Sequence, residues 1–87
     1  SPTINSTPLE GQPDAALAKA AQQGQKKAFV EIVARHQSMV CGIAFGILGD
    51  FAASEDAAQD AFLTAWLRIR DLREPERLRA WLGQIAR

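Results

Sequence analysis

DFAASEDAAQDAFLTAW, running from Asp50 to Trp66, carries the clearest helical pattern in the chain. Gly49-Asp50 closes the element before it, and Ser54 is placed to act as N-cap, its hydroxyl oxygen accepting from a free backbone N–H. Glu55 and Asp56 then fall in the first turn, where the positive end of the helix dipole favours carboxylates. At about 100° per residue, Ala58, Ala61, Phe62, Ala65, Trp66 and Ile69 gather on one side of the helix. Asp56, Gln59 and Asp60 gather on the other, and Leu63 and Leu67 continue that second stripe. A helix face that meets only water has little use for two leucines among its acids. The pattern therefore predicts a helix with its back in a core and an acidic, leucine-bearing front offered to a partner.

Moving outward, the upstream segment from Gln25 to about Leu48 carries the longest helical periodicity in the chain. Phe29, Ile32, Val33, His36, Val40, Ile43, Ala44 and Ile47 make one stripe, and Val30, Ala34, Cys41, Phe45 and Leu48 make a second, almost opposite. A helix that is apolar on two sides reads as sandwiched, the central helix of a bundle. Gly42 and Gly46 each cost roughly 1 kcal/mol relative to alanine in a helix, which suggests that they allow a close helix approach. Before it, Asp14 to Gln23 forms a short helix closed by Gly24, with Leu17 facing inward. No chemistry is assigned to that helix. Residues 1–13, with three prolines and a glycine, read as a disordered tail or a remnant of expression, so the domain is placed at residues 14–87.

Downstream, Pro75 interrupts the helical pattern and biases Glu74 towards extended backbone. Pro75 fits the first position of a fourth helix, with Glu76 in its first turn. In that helix Leu78, Trp81, Leu82 and Ile85 share one face, while Arg77, Ala80, Gln84 and Arg87 share the other. Arg79 lies on the flank. The helix is still running at Arg87, so the expectation is a domain truncated in its last helix. The chain reads as all-α, a small bundle of about four helices.

Composition narrows the function classes. Eighty-seven residues, 47% of them hydrophobic, suffice for one small domain with a modest core. No apolar run reaches the 18 or so residues of a membrane span, and no signal-peptide pattern opens the chain. The lone Cys41 can form no internal disulfide, which fits a cytoplasmic setting. His36 has no second ligand at metal-binding spacing and reads as a buried or boundary histidine. There is no phosphate-binding glycine loop, nucleophile elbow or metal cluster, so no catalytic residue, metal or cofactor is expected. Net charge is zero, but it is unevenly divided. Residues 51–67 carry three acids and no base, whereas residues 68–87 carry six arginines against three acids. Such a chain can set an acidic face on one partner and a basic face on another.

The run EDAAQDAF, then LTAW, then RLRAWLGQIAR resembles region 2 of the extracytoplasmic-function sigma factors of bacterial RNA polymerase. The matching residues are Glu55, Asp56, Gln59, Asp60 and Phe62, then Trp81, Leu82, Ile85 and Ala86. Arg35-His36 and the closing Leu48-Gly49-Asp50 add to the likeness, which spans roughly residues 14–87. The resemblance implies that Asp56, Gln59 and Asp60, with Leu63 as an apolar neighbour, dock on the basic clamp helices of the polymerase β′ subunit. It also implies that the loop before the last helix, and that helix's exposed face, bind and help melt the promoter −10 element, capturing a base flipped from the non-template strand. Arg68, Arg70, Arg73, Arg77, Arg79, Gln84 and Arg87 are the DNA-facing candidates. Arginines can hold phosphates and stack on bases, and Gln84 can read a base edge. Trp81 is assigned to the core in preference to a stacking role. An anti-sigma factor covering these surfaces is a further partner the resemblance implies; a membrane is not. Leu72 and Leu78 stand where the family often has aromatics, and Glu74 and Glu76 put acids where the loop would meet DNA. The alternative is a helical protein–protein adaptor of the same fold that binds no DNA.

Overall fold

The computed structural model describes residues 9–87. Four helices carry the fold: α1 (Asp14–Gln22), α2 (Lys26–Leu48), α3 (Phe51–Arg68) and α4 (Leu78–Ala86). Short 3-10 turns sit at Leu9–Gly11, Ile69–Asp71 and Pro75–Arg77, and the described residues contain no strand. The chain is all-α, as its periodicity predicts.

The reversal between α2 and α3 takes two residues. Gly49 adopts φ +68° and its N–H donates to the Phe45 carbonyl at 2.8 Å, ending α2 in a left-handed turn that glycine enters without a Cβ penalty. Asp50 then caps α3, its Oδ1 accepting from the Ala53 N–H at 2.7 Å. This corrects the expectation for Ser54, which is buried and donates its hydroxyl to the Asp50 carbonyl. The helix starts at Phe51 because a carboxylate follows the turn glycine directly, so Glu55 and Asp56 lie beyond its first turn.

With so short a link, α2 and α3 run antiparallel. Phe29 stacks against Trp66 at one end of the pair (centroids 5.1 Å apart), and Phe45 meets Phe51 at the other (5.8 Å). The α3 face turned to the core is mostly alanine (Ala58, Ala61, Ala65), with Phe62 and then Ile69 completing it. Small side chains bring the two backbones together, and larger ones on the remaining helices fill the core: Leu17 from α1, Ile32 and Val40 from α2, Leu78 and Leu82 from α4. Fully burying one such side chain is worth roughly 1.5–3 kcal/mol.

Two expectations for α2 fail. Its first stripe is buried at Ile32, His36, Val40 and Ala44, but the second faces outward: Val30 is 66% exposed and Phe45 and Leu48 are about half exposed. Among the described residues no helix covers that side, so α2 is central to the bundle without being sandwiched. Gly42 and Gly46 are exposed, and a Cβ at either would meet nothing within 4 Å. The buried glycine is Gly83 of α4, where a Cβ would make an ordinary contact 3.7 Å from Ile43 Cδ1 and would stand 3.0 Å from the Arg87 guanidinium at the end of the same helix.

Residues 1–8 lie outside the described residues; Leu9–Gln12 is tied to α2 by Arg35, and its neighbour His36 holds the start of α1. The Arg35 guanidinium donates to the carbonyls of Gln12 (2.7 Å), Glu10 (3.1 Å) and Leu9 (3.4 Å), and pairs with Asp14 (3.0 Å) and Glu31 (3.3 Å). His36, only 3% exposed, places Nε2 at 2.9 Å from the other Asp14 carboxylate oxygen. A planar guanidinium with five donors can gather that many acceptors, which proline and glycine content does not reveal.

The two sides of α2 make a direct test. Ile32→Ala should cost about 2–5 kcal/mol and lower the melting temperature by at least about 10 °C. Val30→Ala should stay within about 0.5 kcal/mol of wild type. Equal losses in thermal melts would restore the sandwiched helix.

Candidate functional site

Two surfaces stand out, built on different elements. On α3, Asp56, Gln59, Asp60 and Leu63 are all exposed, and Leu63 and Leu67 present 59% and 74% of their surface. They sit where the period places them, opposite the alanine face. Beside them runs a feature absent from the sequence reading: the outer α2–α3 seam is an open apolar groove. Near one end it is lined by Lys26, Phe29, Val30, Phe62, Leu63 and Trp66, a hollow of about 350 Å³. It continues through Val33, Gln37, Cys41, Glu55 and Gln59, then past Phe45 and Phe51 at the hairpin tip. The second apolar stripe of α2 was the available signal. It lines a groove rather than a second core.

The second surface lies where the chain leaves α3. Residues 69–77 form two 3-10 turns separated by Leu72-Arg73-Glu74, and Pro75 opens the second of them as its fixed φ allows. Glu74 is extended (φ −117°, ψ 94°), as a residue before proline prefers. Together with the first turns of α4 this segment encloses a pocket of about 360 Å³, lined by Leu72, Arg73, Glu74, Arg77, Ala80, Trp81 and Gln84. A second hollow, of about 760 Å³, runs along α4 between Arg79, Gln84 and Arg87 on one side and Met39 and Ile43 of α2 on the other.

Arg68, Arg70, Arg73, Arg77, Arg79, Gln84 and Arg87 are all exposed, but they are not equally available. Arg68 lies 3.5 Å from Asp71, Arg77 lies 3.3 Å from Glu74, and Arg70 donates to the Gln22 carbonyl at 3.2 Å. Among the described residues Arg73, Arg79 and Arg87 form neither ion pair nor side-chain hydrogen bond. The pocket gathers Arg73, Arg77 and Gln84; Arg79 and Arg87 belong to the groove beside it; Arg68 and Arg70 line neither.

Trp81 is half-buried, packs against the core and also lines the pocket. Leu78 is wholly buried, so the position that carries an aromatic in the resembled family is here committed to packing. Leu72 is 7% exposed, and it closes the pocket from the core side. Ala80 was not singled out from the sequence. Its small side chain leaves the space that Gln84 and Arg77 flank. Among the described residues no three His, Cys, Asp or Glu side chains group closely enough to hold a metal, and no helix is long and apolar enough to cross a membrane.

Comparison with known proteins places these surfaces in context. Residues 32–87 match the family described as Sigma-70 region 2. Over 67 residues, 77% of the chain, it is 46% identical to the probable RNA polymerase sigma factor RfaY of Xanthomonas campestris pv. campestris. It is 34% identical over 76 residues to the ECF RNA polymerase sigma-E factor of Haemophilus influenzae, and 30% identical over 78 residues to the RNA polymerase sigma-H factor of Pseudomonas aeruginosa. These matches cover 84% and 90% of the chain respectively. The chain spans only 17%, 38% and 40% of the lengths of these three relatives. No solved structure matches it significantly. With the family matched over well over half its length, and with the four-helix fold that its residues dictate, this chain belongs to the sigma-70 region 2 family, and its relatives include extracytoplasmic-function sigma factors.

Proposed function

We propose that this domain serves transcription initiation as region 2 of a sigma factor, holding the polymerase core with one surface and the promoter −10 element with the other. The observation that carries the reading is that the exposed acids Asp56 and Asp60 lie on α3, whereas the exposed arginines Arg73, Arg77, Arg79 and Arg87 lie on the loop and α4, and the hollows beside the two sets share no residue. An acid-flanked apolar groove lies on the α2–α3 pair, and an arginine-edged pocket lies on the loop and α4.

The first surface suits a basic helical partner such as the β′ clamp helices. Asp56 and Asp60 are exposed carboxylates free to form charge-assisted hydrogen bonds with arginine, and Gln59 adds a donor and acceptor between them. Leu63 and the hollow beside it contribute the apolar area from which an interface draws most of its energy. The second surface suits single-stranded DNA. Its pocket offers an aromatic wall in Trp81, an amide in Gln84 that can read a base edge, and guanidinium groups in Arg73 and Arg77 at the mouth. The −10 strand would run along the α4 groove, where Arg79 and Arg87 are available to phosphates.

The adaptor alternative keeps the first surface and dispenses with the second. It leaves unexplained why three arginines without acidic partners border a concave surface, so the DNA-binding reading is preferred.

Each surface has its own test. Asp60→Arg should abolish binding to polymerase core in a pull-down or by interferometry, with helicity by circular dichroism unchanged because the side chain is exposed. Unimpaired binding would move the docking face elsewhere. For DNA, the affinity for non-template single strands should weaken with salt, at a log–log slope of about −0.7 per neutralised phosphate. Replacing Arg73 and Arg79 together by Gln should lower affinity for every sequence and flatten that slope by about 1.4, whereas Gln84→Ala should change which sequence is preferred. No single-strand binding by the wild type at low salt would favour the adaptor.

A further inference from the structure

The pocket's loop wall is held in part from outside the loop. α3 ends at Arg68, and the chain then makes one 3-10 turn, closed by a backbone bond from the Leu72 N–H to the Ile69 carbonyl at 3.2 Å. Helix ends leave carbonyls without intrahelical partners, and those on a buried segment need donors from elsewhere. Ile69 and Leu72 are both buried, at 3% and 7% exposure. The Ile69 carbonyl, which already accepts from the Leu72 N–H, gains a second donor from α1, and the same group reaches the Leu72 carbonyl. The Gln22 side-chain Nε2 lies 3.0 Å from the Ile69 carbonyl and 2.8 Å from the Leu72 carbonyl.

A primary amide carries two N–H groups on one nitrogen and no charge, which suits it to bridging two carbonyls in a partly buried place. Serine or threonine would offer one donor, and lysine would bring a charge into a poorly solvated setting. The link is reciprocal: Arg70 Nε donates to the Gln22 main-chain carbonyl at 3.2 Å, satisfying an acceptor at the end of α1 and placing a cation against its negative pole. Three bonds between residue 22 and residues 69–72 thus interlock the last turn of α1 with the loop. α1 also packs against both 3-10 turns that flank the loop. Gln22 itself does not line the pocket, which is walled by Leu72, Arg73 and Glu74 on this side.

We infer that Gln22 is a positioning residue for base recognition. It fixes the carbonyls of Ile69 and Leu72, so that Leu72, Arg73 and Glu74 present a pre-formed wall to a captured base. The inference rests on reading this pocket as the base site. It gives α1 a role in DNA discrimination without any contact to DNA, since a binding site gains from a wall that need not be ordered when the ligand arrives.

The test compares wild type with Gln22→Met, which keeps length and helix preference and loses only the donors, leaving the main-chain carbonyl for Arg70. Gln22→Glu, which sets a carboxylate against the two carbonyls, is the stronger variant, and Gln23→Met at the exposed neighbouring position is the control. Two quantities are read. The first is amide hydrogen exchange across residues 69–77, compared with that of α2 and α3. The second is the ratio of affinities for short homopolymer single strands (deoxyadenosine, deoxycytidine, deoxythymidine) to that for an abasic strand of equal length. For Gln22→Met the loop amides should exchange faster while α2 and α3 hold. The base-to-abasic ratio should fall roughly tenfold, the scale of two lost hydrogen bonds, with abasic affinity and its salt slope unchanged. Gln22→Glu should exceed this, and Gln23→Met should match wild type. Unchanged loop exchange, an unchanged ratio, or faster exchange spread through α2 and α3 would each overturn the inference. A wild type that does not prefer base-bearing strands would overturn the base-site reading itself; that failure is distinguishable, because loop exchange still reports whether Gln22 holds the wall.

Discussion

The two-residue reversal at Gly49-Asp50 is the constraint on which the rest of the structure depends. A left-handed glycine followed at once by a capping carboxylate ends one helix and starts the next with no slack between them, so α2 and α3 must lie side by side. Their pairing is then set by size. The alanines of α3 face the core, Phe29 meets Trp66 at one end of the pair, and the exposed rings of Phe45 and Phe51 meet at the other. Because α3 spends its small residues inward, its outward positions are free to carry Asp56, Gln59, Asp60 and Leu63. The seam between the helices is left as the apolar groove. The groove is thus a by-product of how the hairpin packs.

α1 and α4 close the core from the other side, and each does so while serving the loop between α3 and α4. Leu17, Leu78 and Leu82 are buried completely or nearly so; α1 meets α2 at Arg35 and His36, and α4 lies beside Met39 and Ile43. The N-terminal end of α1 is held by Arg35 and His36 through Asp14, and its other end holds the loop through Gln22. A helix of nine residues is too short to be stable alone and draws its order from such tertiary contacts. In return it supplies a hydrogen-bonding partner to a segment that has too few of its own.

Much of this was legible from periodicity. The buried face of α3, the polar front with its two leucines, the shared face of Leu78 and Leu82, the break at Glu74-Pro75 and the turn at Gly24 all follow from local rules that tertiary context did not override. What failed was non-local or ambiguous. Ser54 and Asp50 are both good caps, and the choice depends on where the preceding turn leaves the chain. A second apolar stripe signals burial or a binding groove with equal force, and only the absence of a covering helix among the described residues decides for the groove at Val30 and Phe45. Residues 9–13 look disordered by composition, because nothing local shows that Arg35 gathers their carbonyls. Gln22 was invisible for the same reason, since its partners lie 47 and 50 residues away.

The arginine count of the C-terminal segment overstates its free positive charge, and the structure shows where the excess goes. Arg68 and Arg77 each face a carboxylate, and Arg70 serves the joint with α1. Exposed pairs of this kind contribute little to stability, yet they fix side-chain directions and lower the local positive field. Arg73, Arg79 and Arg87 remain uncommitted among the described residues, distributed along the pocket and the α4 groove rather than clustered. A weak, distributed field leaves selectivity to shape: the wall of Trp81 and Leu72, the space beside Ala80, and the amide of Gln84. Trp81 and Leu72 also pack against or within the core, so in a domain this small the pocket cannot loosen without disturbing the packing behind it. The rigidity that stabilises the fold is therefore the same rigidity that pre-forms the site, and α1 contributes to both through its last turn.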